Sequence, residues 1–215
     1  MSADVQINAT NFPDANFRNY LLTNEDPITS FNPRVTNNEA GINGYGKDGV
    51  LTNAELQKIN GITIKNVANL KGIELLPRLY YLNCTGIATE TVNLSANTYL
   101  MSVELQGSFK SVNIPSSFLY ALKLDAPLTS LDLRNNEALN FLQLKNTNLS
   151  AIDLSMINTQ HFLQSTGILN VGIYNQKKQF NLTTPSVKFV LTISNSVQTN
   201  VDFSNSSSMW NSFIF

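Results

Sequence analysis

One pattern of apolar residues recurs along much of this chain and limits the folds open to it. Leucine or another apolar residue stands at the first, fourth and sixth positions of a short motif, and copies of the motif follow one another at intervals of about twenty residues. The copies are Leu79/Leu82/Cys84, Leu100/Val103/Leu105, Leu119/Leu122/Leu124 and Leu139/Leu142/Leu144. A unit this short cannot bury its own leucines, so neighbouring units must stack into one continuous core. The chain is therefore predicted to be a solenoid.

A second series of apolar residues lies between the copies of the first. Its members are apolar-x-apolar steps at Val92/Leu94, Val112/Ile114, Leu131/Leu133 and Ile152/Leu154. Alternation with a period of two predicts a strand that points its apolar residues inward and the residues between them to solvent. Two strands in each repeat predict two parallel sheets, with no helix between Leu105 and Val112. The polar links carry asparagines that can satisfy turn backbone groups, at Asn97, Asn135, Asn136, Asn146 and Asn148.

The first part of the chain, residues 1–61, lacks the repeat and is predicted to be a helical cap. Phe12-Pro13-Asp14 followed by Phe17 has the spacing of a helix start, and Thr52-Asn53-Ala54-Glu55 is a capping-box sequence before a second short helix. The solenoid is predicted over residues 62–203 and is regular to about residue 155.

The last part of the chain follows the leucine motif only loosely. Apolar-x-apolar steps persist at Val171/Ile173, Phe180/Leu182, Leu191/Ile193 and Val201/Phe203. Residues 156–215 therefore either continue the solenoid irregularly or form a separate β-rich unit. Residues 204–215 are predicted to be a tail, in which Trp210, Phe213 and Phe215 cover the last turn.

Charge and cysteine content exclude several classes of function. Only 13% of the residues are charged and the net charge is -1, so the chain has no field that would gather nucleic acid. The single cysteine excludes an internal disulfide and a cysteine-rich zinc site. No apolar stretch is long enough to span a membrane, and the start of the chain lacks the features of a secretory signal. We expect either a cytosolic protein or a mature segment.

Four stretches of sequence carry a resemblance to a known family. They are NFPDANFRNYLL, DGVLTNAELQKINGI, NVANLKGIELLPRLYYLNC and SLDLRNNEALNFLQLKNTNLSAIDLS. Together they resemble the leucine-rich-repeat surface proteins of gut and oral bacteria, in the style of the internalins, over residues of about 10 to 155. The resemblance implies an extracellular place at the bacterial cell surface and a role in binding a protein or a glycan. It does not identify the ligand.

In that family the loop before Asp-Gly often looks like a calcium loop. Here Asp48 and Glu55 fit the fifth and twelfth positions of an EF-hand loop, but Gly44 and Gly46 occupy the first and third. Two carboxylate ligands are missing, so we predict no bound calcium, and no other cofactor or metal is expected.

Catalytic chemistry is weakly represented. The single histidine, His161, has no carboxylate partner in the sequence, and Cys84 fills an apolar slot of the first motif, where a small buried side chain is expected. Asp132 and Asp153 share an exposed slot of adjacent repeats, where we expect solvated carboxylates compensated by Arg134. An open sheet surface gives such a pair no cleft, so we expect a protein that is not an enzyme.

The stacking of the leucines also predicts a candidate binding surface. The residues after the first leucines form a column of Tyr80, Met101, Tyr120 and Asn140, and the next column is Tyr81, Ser102, Ala121 and Phe141. The candidate ligand-binding residues are Tyr80, Tyr81, Met101, Tyr120 and Phe141, which are predicted to form aromatic walls around an apolar floor. Glu104 and Lys123 are predicted to pair with each other at its rim. The alternatives are aromatic residues that merely cover the sheet, and a spacer segment of a surface protein that has no ligand of its own. We expect the chain to be a monomer.

Overall fold

The leucine motif forms one long parallel sheet in the computed structural model, which describes residues 3–26, 41–158, 168–194, 196, 199–202, 204 and 213–214. The elements of the N-terminal part are β1 (Val5–Gln6), α1 (Ala15–Thr23), β2 (Val50–Leu51), α2 (Asn53–Leu56), β3 (Gly61–Ile64) and a 3-10 turn (Ile73–Leu75). The strands that follow are β4 (Tyr81–Ile87), β5 (Thr91–Asn93), β6 (Ser102–Gly107), β7 (Ser111–Asn113), β8 (Ala121–Asp125), β9 (Phe141–Lys145) and β10 (Ala151–Asp153). The last strands are β11 (Ile168–Tyr174), β12 (Phe180–Thr183), β13 (Lys188–Ser194), β14 (Thr199–Asp202) and β15 (Phe213–Ile214).

The main sheet has eight parallel strands in the order β15-β13-β11-β9-β8-β6-β4-β3. Its register places Leu82 opposite Val103, Val103 opposite Leu122 and Leu122 opposite Leu142, as the motif predicts. These four side chains are at most 1% exposed. The chain is thus a mainly-β parallel solenoid of the leucine-rich-repeat type, and the link between Leu105 and Val112 contains no helix.

The second row of strands is divided in two, which corrects the prediction of a continuous second sheet. One sheet pairs β5 with β7, and another has the order β10-β12-β14. Between them, residues 131–133 form no strand, although Leu133 is only 3% exposed. An apolar-x-apolar step reports which side chains are buried, and burial of Leu133 does not require its backbone to pair with both neighbours.

The described part of residues 156–215 extends the solenoid. Strand β11 pairs in parallel with β9, and β13 pairs with β11, so both add to the main sheet. Strand β15 pairs in parallel with β13 at the end of that sheet, through Phe213 opposite Leu191. Phe213 therefore lies in a strand at the end of the sheet, and the covering of the last turn by the tail stays a prediction. Trp210 and Phe215 lie outside the described residues.

The N-terminal cap is fastened to the first turns through Asp14. One carboxylate oxygen of Asp14 accepts hydrogen bonds from the amides of Asn16 and Phe17 and so caps α1. The other accepts from the amides of Ala68 and Asn69, beyond β3. Phe12 and Phe17 are fully buried, with ring centroids 5.2 Å apart.

The cap also packs closely against the turn that precedes the 3-10 segment. Gly72 has a φ of 102°, and a Cβ there would lie 2.3 Å from the ring of Phe12. This close approach requires glycine. At α2, Thr52 and Glu55 form the predicted capping box.

Buried polar side chains connect the segments that precede successive strands of the main sheet, and we call them the buried polar ladder. The side-chain amide of Asn97 donates to the carbonyls of Ile73 and Leu76 in the preceding turn. In the next turn Ser116 occupies the same position, and in the turn after that Asn136 donates to the carbonyls of Ile114 and Ser116. Each of the three side chains is 1% exposed. Asn97 and Asn136 thus satisfy turn backbone groups, as predicted.

Candidate binding face of the main sheet

The outer face of the main sheet begins with the predicted column after the first leucines. The amide of Met101 donates to the carbonyl of Tyr80, that of Tyr120 to Met101 and that of Asn140 to Tyr120, each over 2.8 Å. The predicted register of this column is therefore confirmed. Tyr80, Met101 and Tyr120 are half-buried, whereas Asn140 is only 4% exposed.

The second predicted column has the expected register but a different accessibility. Tyr81, Ser102, Ala121 and Phe141 are paired in sequence along β4, β6, β8 and β9. Tyr81 is only 2% exposed and Ala121 is 9% exposed, while Phe141 is half-buried. Tyr81 is therefore not an accessible wall of a binding surface. Its partner on β3 is Gly61, which has no side chain.

The most exposed aromatic residues on this side lie one position earlier, immediately before the first leucine of each motif. This column runs Arg78, Tyr99, Phe118 and Ala138. Tyr99 is 40% and Phe118 is 51% exposed. Neither residue is among the predicted site residues, although the register of the residue before each first leucine predicts that both share this column.

Three side chains of this column and Tyr80 of the adjoining column form a cluster that we call the aromatic edge, defined as Arg78, Tyr80, Tyr99 and Phe118. The rings of Tyr99 and Phe118 are nearly parallel, at 10°, with centroids 6.4 Å apart. Tyr80 meets Tyr99 edge to face at 6.1 Å. The Cζ atom of Arg78 lies 5.1 Å from the centroid of Tyr99. Tyr99 is thus in contact with two rings and a guanidinium group.

The opposite end of the same strands is polar and internally charge-balanced. Lys123 pairs with Glu104 at 3.2 Å, which confirms the predicted rim pair, and Lys145 pairs with Asp125 at 3.5 Å. With Thr85, Gln106 and Gln143 these side chains line a shallow groove of about 260 Å³. One margin of the face therefore carries aromatic rings and a cation. The other margin carries polar side chains and paired charges.

The two carboxylates considered as a pair do not share a ladder. Residues 131–133 do not pair with β10, so Asp132 and Asp153 lack the predicted in-register stacking. Arg134 donates to both carboxylate oxygens of Asp132 and holds its pKa at about 2. An oxygen of Asp153 accepts from the amide of Ser155, as one of Asp132 does from the amide of Arg134. Each carboxylate therefore closes a turn.

The remaining candidate reactive groups are placed as follows. Cys84 is fully buried, as predicted, and burial raises the pKa of its thiol to about 12. Glu55 accepts from the backbone and hydroxyl of Thr52, and Asp48 accepts from the amide of Val50. Within the described ranges no group of three or more acidic, histidine or cysteine side chains could hold a metal ion. His161 lies outside those ranges.

Comparison with known proteins supports the fold. No family model matches the chain, and no curated protein matches it. Among solved structures, it is similar to the functional domain of InlJ from Listeria monocytogenes, with a TM-score of 0.61 and 20% identity over 95% of this chain. The chain spans 41% of the InlJ chain. None of the helices in the described residues is long and apolar enough to cross a membrane.

The InlJ domain includes a cysteine ladder. In the present chain the register neighbours of Cys84 are Ile64 and Leu105, and the sequence has one cysteine, so its core column is aliphatic. The likeness therefore concerns the path of the backbone, which is that of a leucine-rich-repeat solenoid.

Proposed function

We propose that this chain is a non-catalytic binding module of a bacterial cell-surface protein and that it recognises a protein partner through the aromatic edge. The observation that carries the proposal is the exposure of the stacked rings of Tyr99 and Phe118. Aromatic residues and arginine are the side chains most enriched at the energetic centres of protein interfaces. Solenoids commonly bind partners along an extended sheet face.

The confinement of the aromatic edge to a few turns favours this function over a spacer. A spacer needs only a uniform polar surface, whereas here the exposed rings stand in consecutive turns and the column ends at Ala138, which is 2% exposed. Met101 and Tyr120, from the original candidate set, lie in the adjoining column and would form its flank. The extracellular location rests on the sequence resemblance and is supported by the fold likeness to InlJ.

Binding screens with matched variants test the proposal. The parent chain is presented to an array of extracellular proteins and, in parallel, to a glycan array. We expect a protein hit whose affinity falls at least about thirtyfold in the Tyr99→Ala/Phe118→Ala variant, because even one interface hot spot contributes about 2 kcal/mol or more. Met156→Ala is the control, since Met156 is 52% exposed but lies outside the aromatic edge.

Three outcomes would contradict the proposal. Glycan hits alone would show that the ligand class is wrong. Equal binding by all variants, with unchanged folding by circular dichroism, would place the site elsewhere. In that case Phe141→Ala tests the half-buried part of the second column. The absence of any hit on either array would favour the spacer.

A further inference from the structure

We infer that the partner segment bound at the aromatic edge carries a carboxylate beside an apolar or aromatic side chain, and that Arg78 receives the carboxylate. This inference rests on the proposed function and specifies the chemistry of the partner. It follows from a difference between the cations of this face: Lys123 and Lys145 are paired with acidic residues, whereas Arg78 is bound to a neutral side chain.

Arg78 is held in place but its charge is not neutralised. Its Nε donates to the neutral side-chain oxygen of Gln57 at 2.9 Å, and its guanidinium lies over the ring of Tyr99. No ion pair joins Arg78 to a carboxylate within the described part of the chain. Lys123 and Lys145, at the other end of the strands, are each paired with an acidic residue.

Lys58, which follows Gln57 in the sequence, is a second cation that lies over an aromatic ring. The ammonium group of the exposed Lys58 lies 5.7 Å from the ring centroid of Tyr45, and none of the described carboxylates forms an ion pair with it. Of the acidic side chains nearby in sequence, Glu55 accepts from Thr52 and Glu74 accepts from the amide of Gly72. Arg78 and Lys58 are therefore two cations without an ion-pair partner among the described carboxylates, in a chain whose net charge is -1.

The geometry of Arg78 suits a carboxylate better than a neutral group. A guanidinium presents its N–H donors in a fixed plane that matches a carboxylate with two parallel hydrogen bonds, and stacking on a ring leaves those donors available. Tyr99 lies directly beside the guanidinium and Phe118 stacks on Tyr99, so one short segment can place an acidic side chain on Arg78 and an apolar side chain on the rings. The low overall charge argues against a long polyanion.

Selection from a phage-displayed library of random linear peptides tests the inference. The parent chain is the target, and the Tyr99→Ala/Phe118→Ala variant removes peptides that bind elsewhere. We expect the retained peptides to carry Asp or Glu close to Phe, Tyr, Trp or Leu. A synthetic copy of the most enriched peptide is then compared with a version in which its Asp and Glu are replaced by Asn and Gln.

The decisive measurement is a double-mutant comparison. Arg78→Met should weaken the acidic peptide by about tenfold or more at low salt and leave the amide version unchanged, because only the acidic peptide loses a charged partner. Arg78→Lys should recover part of the loss. Lys145→Met is the control cation on the same face, and it should leave both peptides unaffected.

Three results would overturn the inference, and they can be told apart. Retained peptides that lack acidic residues, or an Arg78→Met variant that weakens both synthetic peptides equally, would refute the carboxylate while leaving the binding site intact. If no peptide distinguishes the parent from the Tyr99→Ala/Phe118→Ala variant, the proposed site itself fails.

Discussion

Replacing Asn136 tests whether the buried polar ladder holds successive turns of the solenoid together. Its side-chain amide donates to the carbonyl of Ile114 at 2.8 Å and to that of Ser116 at 2.9 Å, while its own oxygen is buried without a hydrogen-bond partner. The alanine variant loses both bonds. The carbonyl of Ser116 still accepts from the amide of Leu119, whereas the carbonyl of Ile114 loses its side-chain donor.

The size of the effect follows from these contacts. Each lost bond contributes about 1 kcal/mol net, and a buried carbonyl left without a partner costs about 1–3 kcal/mol. The variant also removes the side-chain oxygen of Asn136, which is buried without a partner. This raises the free energy of unfolding by about as much as the unpaired carbonyl lowers it. We therefore expect Asn136→Ala to lower the free energy of unfolding by about 2 kcal/mol. Asn136→Ser should cost less, because Ser116 fills the equivalent position in the preceding turn and donates to the carbonyls of Thr98 and Leu100.

Asn136→Asp should be worse than alanine and should depend on pH. An ionised carboxylate there would face two carbonyl oxygens in a buried site, so burial and repulsion would raise its folded-state pKa above the unfolded value of about 3.9. The variant would retain its stability below that pH, where the group is neutral in both states. It would lose stability as the pH rises toward the raised folded-state pKa.

Urea denaturation followed by circular dichroism, for each variant at acidic and neutral pH, measures these differences. Asn135→Ala is the matched control, because Asn135 is the exposed neighbour in the same turn. An Asn136→Ala variant as stable as the control, or an Asn136→Asp variant whose stability does not fall as the pH rises, would refute the role assigned to the ladder.

Three further predictions concern the core, the thiol and the cap. Leu122→Ala and Leu142→Ala should each lower the free energy of unfolding by about 2–5 kcal/mol, because both side chains are fully buried between neighbouring turns, and an unchanged denaturation midpoint would contradict this. Cys84 should not react with a thiol reagent at mildly alkaline pH until denaturant is added, because burial raises its pKa to about 12, and rapid labelling of the folded protein would show otherwise. Millimolar calcium should leave the melting temperature unchanged, because Glu55 is engaged in the capping box. A calcium-dependent rise that Asp48→Ala abolishes would reverse that prediction.

The register of the main sheet could be predicted because a slip of one residue would turn every leucine outward. Burial of Leu82, Val103, Leu122 and Leu142 fixes the alignment of all other residues on those strands, so both predicted columns were placed correctly. The capping box at Thr52 was equally readable, since its partners are close in sequence.

The sequence pattern did not predict which side chains of the sheet are exposed or which segments pair through their backbones. The alternation predicts which side of the sheet Tyr81 occupies, but its burial depends on neighbouring turns that the motif does not describe. Likewise, the pattern at Leu131/Leu133 reports an inward leucine and says nothing of the hydrogen bonds that a strand requires. The predicted site residues therefore lie in the expected register, but one of them, Tyr81, is a buried ring, and the exposed Tyr99 and Phe118 were not among them.

The exposed rings of the aromatic edge and the buried leucines of the core occupy neighbouring positions in the sequence. Leu100 and Leu119 are fully buried, and each directly follows an exposed aromatic residue, so the leucine anchors the backbone from which Tyr99 or Phe118 reaches solvent. Loss of a ring that is 40% or 51% exposed removes contacts at the surface, whereas loss of the adjacent, fully buried leucine opens a cavity in the core. Under the proposed function, variation at these ring positions would change the partner at less cost to the core than variation at the leucines. The same scaffold, with a different residue before each first leucine, would present a different surface.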